Sequence, residues 1–285
     1  MGREDVRILI IEGNGDDMNA AMEAAGARTG STLYRALLEP LVPGARFDGV
    51  APADGDAALP AGTSLADYDG VVMGGSGLHV YDDIPAVTRQ VDLVKAVLAA
   101  GVPFTGSCWA AQVATVAAGG VVGRSPNGRE VGIARKVTLT PAGRDHPFYA
   151  GKAPVFDTIA IHYDEVTTVP PGAAVLATNG HSPVQALAFG TFWGVQYHPE
   201  YDLDQIARLM ARYGGQMVAD GFLADADAMA DHAEDLIALH ADPGRRDLAW
   251  RLGLDDDVLD PGRLRIECAN WVTHALLPHR AETRR

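Results

Sequence analysis

The sequence predicts an α/β fold, in which an open, mostly parallel sheet carries helices on both of its faces. Two observations lead to this prediction. Short apolar runs such as Val6–Ile11 and Asp69–Met73 are typical of buried parallel strands. Each is followed by a segment whose apolar residues recur at helical spacing. Parallel neighbours need crossover connections of this kind, and the crossover helices cover the sheet.

The first 120 residues supply the core elements of that sheet. An Ala-rich stretch after the first strand continues as a helix to Leu38, and Pro40 closes it. Pro85 suits the first turn of a later helix, which Gly101 ends. In chain order the predicted elements are strand 6–11, helix 17–38, strand 47–50, strand 69–73, helix 85–100, strand 102–105 and a helix that runs from the turn at 106–108 to 119.

Residues 130–197 change to alternating apolar and polar side chains, which predicts strands. We interpret these as the distal strands of the sheet, some of them antiparallel, with the last one returning to the sheet. The predicted strands are 136–140, 154–161, 174–178, 184–189 and 192–197. An amphipathic helix is then predicted from Leu203 to Met217, because its apolar residues again recur at helical spacing.

The C-terminal part of the chain differs in character, with short helical segments separated by Asp-Pro-Gly turns at 242–244 and 260–262. The chain has 285 residues, which allows one large domain or two small ones. We predict an α/β domain over 1–213 and a helical C-terminal extension over 214–285 that packs on it. The predicted extension helices are 225–240, 247–254 and 263–277.

Charge and composition exclude several classes of partner and compartment. The formal net charge of −14 disfavours a broad surface for nucleic acid or for an anionic membrane. No apolar run approaches the roughly 20 residues that cross a bilayer, and the start of the chain lacks the features of a secretory leader. We therefore expect a protein of the reducing cytoplasm.

The cysteines and histidines point away from structural cross-links and metals. Cys108 and Cys268 are the two cysteines, too few for a disulfide framework or a zinc ribbon. The nine histidines are scattered without metal-ligand spacing. We predict that the protein needs neither a metal nor an organic cofactor.

Cys108 stands between a predicted strand and a predicted helix, and small residues surround it. Gly106 and Ala110 lie two residues before and two residues after it. This is the pattern of a nucleophile elbow, a sharp turn that holds the nucleophile at the carboxyl edge of a sheet and tolerates only small neighbours. A buried structural cysteine is an equally good interpretation of Cys108 when it is taken alone.

His198 and Glu200 supply the groups that a thiolate nucleophile needs, a base and a residue that orients it. They follow the last predicted strand in the run Val195-Gln-Tyr-His198-Pro-Glu200. Pro199 restricts the backbone between them, so the carboxylate can turn back onto the imidazole. A lone His-x-Glu would be weak evidence, but its combination with a cysteine elbow indicates a catalytic site.

Two segments and the distance between them resemble the class I (triad) glutamine amidotransferase family, in particular a glutaminase domain like that of GMP synthase. The segments are Gly106-Ser-Cys108-Trp-Ala-Ala-Gln112 and Gly194-Val-Gln-Tyr-His198-Pro-Glu200, and the resemblance covers about residues 6–213. It implies that Cys108 attacks the γ-carbonyl of glutamine or of a γ-glutamyl amide. His198 then returns the thiol proton to the leaving amine while Glu200 orients the imidazole, and water hydrolyses the γ-glutamyl thioester.

The resemblance also implies an oxyanion hole made of two backbone N–H groups. Trp109, directly after the nucleophile, supplies one, and we assign the other to Gly75 in the run Gly74-Gly75-Ser-Gly77. Gln112 matches the family glutamine that binds the amino-acid end of the substrate, and we predict Ser76 as a second substrate contact. No metal ligand is implied.

The segment around Cys108 departs from the family pattern at one position and also suggests which residues line the pocket. The family usually has glycine where this chain has Ala110, and we expect alanine to be small enough for the elbow. The bulky Trp109 side chain and the loop at 76–83 are predicted to line the pocket for the leaving group.

Several functions remain open. The first is a glutaminase that supplies ammonia to a synthetase on a separate chain, because the motifs of a synthetase do not occur here. The second is a stand-alone γ-glutamyl amide hydrolase in amine metabolism, and the third is a catalytically inactive binding or regulatory module. A cysteine peptidase is a fourth, which the His-Pro-Glu spacing and Gln112 disfavour. A homo-oligomer is compatible with any of them.

Overall fold

The computed structural model describes residues 6–55 and 58–284. The expectation that residues 1–5 belong to no leader lies outside the described residues. The chain forms a long mixed sheet, a short second sheet and helices on both sides. Its strands are β1 (Arg7–Ile11), β2 (Arg46–Val50), β3 (Gly70–Met73), β4 (Phe104–Ser107), β5 (Val121–Arg124), β6 (Glu130–Leu139), β7 (Val155–His162), β8 (Asp164–Thr168), β9 (Ala174–Thr178), β10 (Ala186–Phe189) and β11 (Phe192–Val195).

The helices of the first 220 residues lie between these strands and after the last one. They are α1 (Asp16–Ala24), α2 (Gly30–Leu38), α3 (Pro85–Ala100), α4 (Trp109–Ala117), α5 (Pro141–Asp145), α6 (Leu203–Arg212) and α7 (Gly214–Ala219). The regular elements after residue 220 are all helices. They are α8 (Ala226–Ala241), α9 (Arg246–Leu252), α10 (Asp256–Leu259), α11 (Pro261–Leu264), α12 (Ile266–Trp271), a π-helical turn at Val272–Leu276 and α13 (Leu277–Thr283).

The long sheet has the strand order β2-β1-β3-β4-β11-β10-β9-β6-β7. The strands from β2 to β11 pair in parallel, and those from β11 to β7 pair antiparallel. The predicted open α/β sheet is confirmed, and so is the return of the last strand, since β11 pairs in parallel with β4. Two strands were not predicted: β5 and β8 form a separate two-stranded sheet.

Helices cover both faces of the sheet, as β1 shows most directly. Ile8 and Ile10 pack into one apolar core and Leu9 and Ile11 into another. Successive side chains of a strand point to opposite faces, so each face of the sheet has its own core. Helix α2 packs in the first core and helices α3 and α4 pack in the second.

Several predicted elements have different bounds in the structure, among them the helix predicted over 263–277, which divides into α11, α12 and the π-helical turn. The helix predicted over 17–38 is two helices, because Gly26 adopts a φ of 77° after α1. The helix predicted over 203–217 also divides, at Tyr213, into α6 and α7. Strand β6 is longer than predicted and contains a bulge, where Lys136 has a φ of 52° and the register with β7 shifts.

The helical C-terminal extension packs on the sheet at two places. Trp271 and Leu276 belong to the core under β1 and β3, and a Cβ on Gly70 would lie 2.7 Å from the Trp271 ring. Helix α8 packs on α6, in a third apolar core that also contains Ile159 of β7. The helical C-terminal part is confirmed, whereas its separation from the α/β domain at residue 213 stays a prediction. Across the described ranges, no helix has both the length and the apolar character for crossing a membrane.

Candidate active site

The carboxyl ends of three neighbouring strands bring the predicted site residues together. Gly75 follows β3, Cys108 follows β4 and His198 follows β11, and the sheet order places β4 between the other two strands. The Cys108 N–H donates a hydrogen bond to the Val195 carbonyl at 2.8 Å, which joins the elbow to the end of β11. The carboxyl edge of a parallel sheet is where ligands bind in α/β folds.

The backbone at Cys108 has the sharp conformation of a nucleophile elbow. Its φ is 51° and its ψ is −98°, a sparsely populated combination for a residue with a side chain. A Cβ on Gly106 would lie 2.2 Å from the Met73 carbonyl oxygen and 2.4 Å from the Ala110 Cβ. Ala110 is therefore accommodated because residue 106 has no side chain.

A buried hydrogen-bonded set orients the imidazole of His198. Its Nδ1 lies 2.7 Å from Glu200 Oε1, and the Ser107 hydroxyl donates to the same oxygen at 2.6 Å. His198 and Glu200 are 1% and 2% exposed, so water does not compete for these hydrogen bonds. His198 Nε2 has no hydrogen-bond partner within the described ranges, which leaves it available to a reacting group.

Two further contacts fix the plane of the imidazole. The Tyr201 ring stacks on His198 with 4.0 Å between centroids and 14° between planes. On the loop after β3, a Cβ on Gly75 would lie 2.8 Å from His198 Cε1, so residue 75 must be small. The fold thus holds Cys108, His198 and Glu200 in an arrangement that is compatible with the catalytic roles predicted for them.

The surroundings of His198 favour its charged form. Burial alone would lower the pKa of this histidine, but the Glu200 carboxylate and the neighbouring Cys108 side chain raise it to about 10. An imidazolium at neutral pH has a proton to donate to a leaving amine.

We expect this histidine to make stability depend on pH. A pKa raised from about 6.5 in the unfolded chain to about 10 contributes stability that is complete below pH 6.5 and is lost as the pH rises through 10. Denaturant unfolding at several pH values between 6.5 and 10 measures this loss. In Glu200→Gln the imidazole lacks its negative partner, so the decline should be much smaller. An equal decline in both proteins would contradict this assignment.

A cleft of about 830 Å³, including its open mouth, lies over these groups. Among the predicted site residues, Gly75, Ser76, Cys108, Gln112 and His198 line it, and Glu200 lies behind His198. The Gln112 amide donates to the Asp164 carbonyl at 3.2 Å, and the Ser76 hydroxyl accepts from the Leu78 N–H at 3.2 Å. The Cys108 thiol lies 3.7 Å from the Ile161 carbonyl oxygen.

The Trp109 side chain does not line the cleft, contrary to the sequence-based expectation. It is fully buried, and its indole N–H donates to Oε1 of Gln90 on α3 at 2.7 Å. Its backbone N–H lies in the first turn of α4, where no intrahelical carbonyl can accept it. The direction of the side chain therefore does not affect the oxyanion-hole role that we predicted for the Trp109 N–H. Of the loop at 76–83, the part from Ser76 to His79 does line the cleft.

The rim of the cleft contains a cluster centred on Asp164. His79 Nδ1 lies 2.5 Å from one carboxylate oxygen of Asp164, and the Tyr81 hydroxyl donates to the other at 3.0 Å. Next to it, Glu130 and His162 form a buried pair at 2.8 Å. Burial alone would raise the pKa of Glu130, but the hydrogen bond from His162 and two amide donors lower it.

Several residues of the site were not recognised in the sequence. Ser107 lies within the cysteine motif and Tyr201 directly follows the His-Pro-Glu motif, so their positions were a usable signal. Asn14, in the loop after β1, accepts the Gly77 N–H at 3.1 Å and so holds the loop that contains Gly75. The usable signal for Asn14 was that it follows β1, the strand beside β3 in the sheet.

Comparison with known proteins shows the family of the chain. The sequence profile described as "Glutamine amidotransferase class-I" matches residues 50–212. A γ-glutamyl-L-1-hydroxyisopropylamide hydrolase from a Pseudomonas species is 32% identical, with 96% of this chain and 95% of that protein covered. A GMP synthase (glutamine-hydrolysing) from Thermomicrobium roseum is 33% identical, over 46% of this chain and 23% of that protein.

A solved structure agrees with the fold. The crystal structure of a glutamine amidotransferase from Thermotoga maritima superposes with a TM-score of 0.64 at 18% identity, covering 95% of this chain and 98% of that chain. The profile match spans more than half of the chain, and the Pseudomonas relative aligns along nearly all of it. The chain therefore belongs to the class-I glutamine amidotransferase family and is a hydrolytic enzyme of that family.

Proposed function

We propose that this enzyme hydrolyses the γ-amide bond of a γ-glutamyl amide, releasing glutamate and a free amine. The observation that supports the proposal best is the buried Ser107–Glu200–His198 hydrogen-bonded set beside Cys108, at the bottom of an open cleft. A nucleophile, a base and a residue that orients the base are the parts that acyl transfer through a thioester requires.

The reaction proceeds in two steps. The Cys108 thiolate adds to the γ-carbonyl carbon, and the N–H groups of Gly75 and Trp109 stabilise the oxyanion. The C–N bond breaks as the His198 imidazolium gives its proton to the leaving nitrogen, and the amine departs. A water molecule then gives a proton to His198 and adds to the thioester, and collapse of that adduct releases glutamate and regenerates the thiolate.

Gln112 and Ser76 are proposed to hold the amino-acid end of the substrate. Both line the cleft, and the Gln112 side chain lies one turn of α4 after the nucleophile. An amide group can donate and accept hydrogen bonds, which suits a group that carries both an ammonium and a carboxylate.

The extent of similarity favours a stand-alone hydrolase. The Pseudomonas γ-glutamyl amide hydrolase aligns along 96% of this chain, helical extension included. The similarity to GMP synthase covers 46% of this chain and 23% of that relative. A glutaminase that supplies ammonia to a synthetase on another chain is the second candidate, and the GMP synthase similarity supports it. The sequence alone placed these two functions in the reverse order.

The experiment that tests the proposal measures glutamate release by the purified chain. Substrates are glutamine and a panel of γ-glutamyl amides of alkyl and aryl amines, with Cys108→Ala as the blank. We expect at least tenfold higher kcat/KM for one conjugate than for glutamine, on the order of 1.4 kcal/mol. Slow release from every substrate would instead favour a subunit that requires its synthetase.

A further inference from the structure

The cleft has two chemically different walls. We call Gln112, Arg129, His162 and Asp164 the polar wall, and Met18, Met22, Leu209 and Tyr213 the apolar wall. Resting on the proposed function, we infer that the apolar wall is the subsite for the leaving amine and that it selects uncharged alkyl or arylalkyl amines over ammonia and over diamines.

The position of His198 determines which wall the leaving amine faces. The imidazole must protonate the leaving nitrogen, so the substituent on that nitrogen lies on the imidazole side of the scissile bond. The Tyr201 ring, stacked on His198, belongs to the same apolar core as Met22 and Leu209. The polar wall instead continues from the nucleophile, because Gln112 lies on the helix that starts at Cys108 and donates to the Asp164 carbonyl.

The apolar wall comes from two helices, α1 and α6, which the contact between Arg212 and the Met18 sulfur joins. Met18 and Met22 lie on α1, Leu209 lies on α6 and Tyr213 follows it. Met22 and Leu209 are 7% and 4% exposed, so the wall is packed from behind. The Met18 methyl lies 3.2 Å from where a Cβ on Gly77 would be, which brings the thioether against the loop that contains Gly75. Methionine side chains fill irregular apolar spaces and adapt to ligands of different shape.

The polar groups nearest to this wall disfavour a second ammonium on the amine. The Arg212 guanidinium lies 3.4 Å from the Met18 sulfur and stacks over the Tyr213 ring. Asn14 is already engaged at both ends, by the Gly77 N–H and by the Met22 sulfur. The buried Glu12 carboxylate accepts hydrogen bonds from the backbone and side chain of Ser31 and from the Asn14 N–H. Arg212 therefore places a positive charge in contact with the Met18 and Tyr213 side chains of this wall.

A substrate series tests the inference through kcat/KM, which reports binding and bond cleavage together. The substrates are glutamine, the γ-glutamyl amides of methylamine, propylamine and butylamine, and that of 1,4-diaminobutane. Burial of each added methylene should raise kcat/KM about threefold to fourfold up to butyl. The diaminobutane conjugate should fall at least tenfold below the butylamide.

Substitutions of the wall residues test whether the apolar wall causes the preference for alkyl amides. Met18→Ala and Met22→Ala should each lower the ratio of kcat/KM for butylamide to that for glutamine about fivefold to tenfold. A ratio measured on one preparation does not depend on the folded fraction. Met210→Ala is the matched control, because Met210 lies on the same helix as Leu209 with equal burial but outside the cleft lining. It should leave the ratio unchanged. Arg212→Gln should raise the diaminobutane conjugate relative to the butylamide.

The failures of the two proposals are distinguishable. Similar kcat/KM for all the alkyl conjugates, each still at least tenfold above glutamine, would overturn the leaving-amine subsite while the proposed function stands. A butylamide-to-glutamine ratio that Met18→Ala and Met22→Ala leave unchanged would do the same. Absence of any hydrolysis that depends on Cys108 would overturn the proposed function itself, and the subsite with it.

Discussion

Cys108→Ala is expected to abolish amide hydrolysis, with a loss in kcat on the order of 10⁴-fold or more. Without the sulfur no thioester can form, and the imidazolium of His198 has no tetrahedral adduct to which it can give its proton. Alanine keeps a Cβ at the elbow, so the backbone conformation and the cleft should stay intact. Glutamate release from a γ-glutamyl amide measures the loss, and circular dichroism verifies the fold. Substantial turnover by this variant would refute the thioester mechanism.

Cys268→Ala is the matched control, since it removes the other thiol. Cys268 lies on α12 in the apolar core, 3% exposed. Burial raises the pKa of its thiol well above the usual value, which keeps it protonated and unreactive. The variant should retain activity, and iodoacetamide should inactivate it as it inactivates the unmodified enzyme. Loss of activity in Cys268→Ala with an intact fold would indicate a role that the structure does not assign.

Glu267→Ala is expected to destabilise the protein by about 3–5 kcal/mol. Glu267, on α12 of the helical extension, is fully buried. It lies 3.1 Å from the Lys152 ammonium and accepts the Tyr197 hydroxyl at 2.5 Å. Removal of the carboxylate leaves the Lys152 ammonium, whose side chain is only 3% exposed, without a counter-charge, although it still donates to the Arg263 carbonyl. Urea denaturation monitored by fluorescence measures the change.

The control for that prediction is an ion pair on the surface of the same extension. Arg251 and Asp235 lie 2.8 Å apart, and the arginine side chain is 62% exposed. Solvent screens such a pair, so Asp235→Ala should leave the free energy of unfolding nearly unchanged. Equal effects of Asp235→Ala and Glu267→Ala would show that burial of the Lys152–Glu267 pair has no energetic consequence.

The sequence predicted the strands that carry the site better than the strands of the distal part of the chain. Cys108 and His198 were recognisable because each follows an apolar strand and stands in a local motif of small or restricted residues. Strands β5 and β8 were not recognisable, because a two-stranded sheet depends on a pairing between segments about 40 residues apart. Local patterns do not determine such a register. The bulge at Lys136 likewise depends on the partner strand.

Among the site residues, local sequence determines neither the direction of the Trp109 side chain nor which distant helices line the cleft. The direction of a side chain at a helix start depends on how the helix packs, so the sequence did not show that the Trp109 indole points to Gln90. The apolar wall combines α1 with α6, elements about 190 residues apart. Met18 and Leu209 look like ordinary core residues in the sequence, and only the three-dimensional arrangement shows that they line the same cleft as the nucleophile.

The strained backbone at Cys108 has a consequence for how this enzyme can change in evolution. A residue with a side chain held at φ 51° and ψ −98° costs about 1–3 kcal/mol, which glycine would largely avoid. The substitution that relieves the strain also removes the nucleophile. Selection for stability alone would therefore drive this position toward an inactive protein, and the strained cysteine persists only while hydrolysis itself is selected.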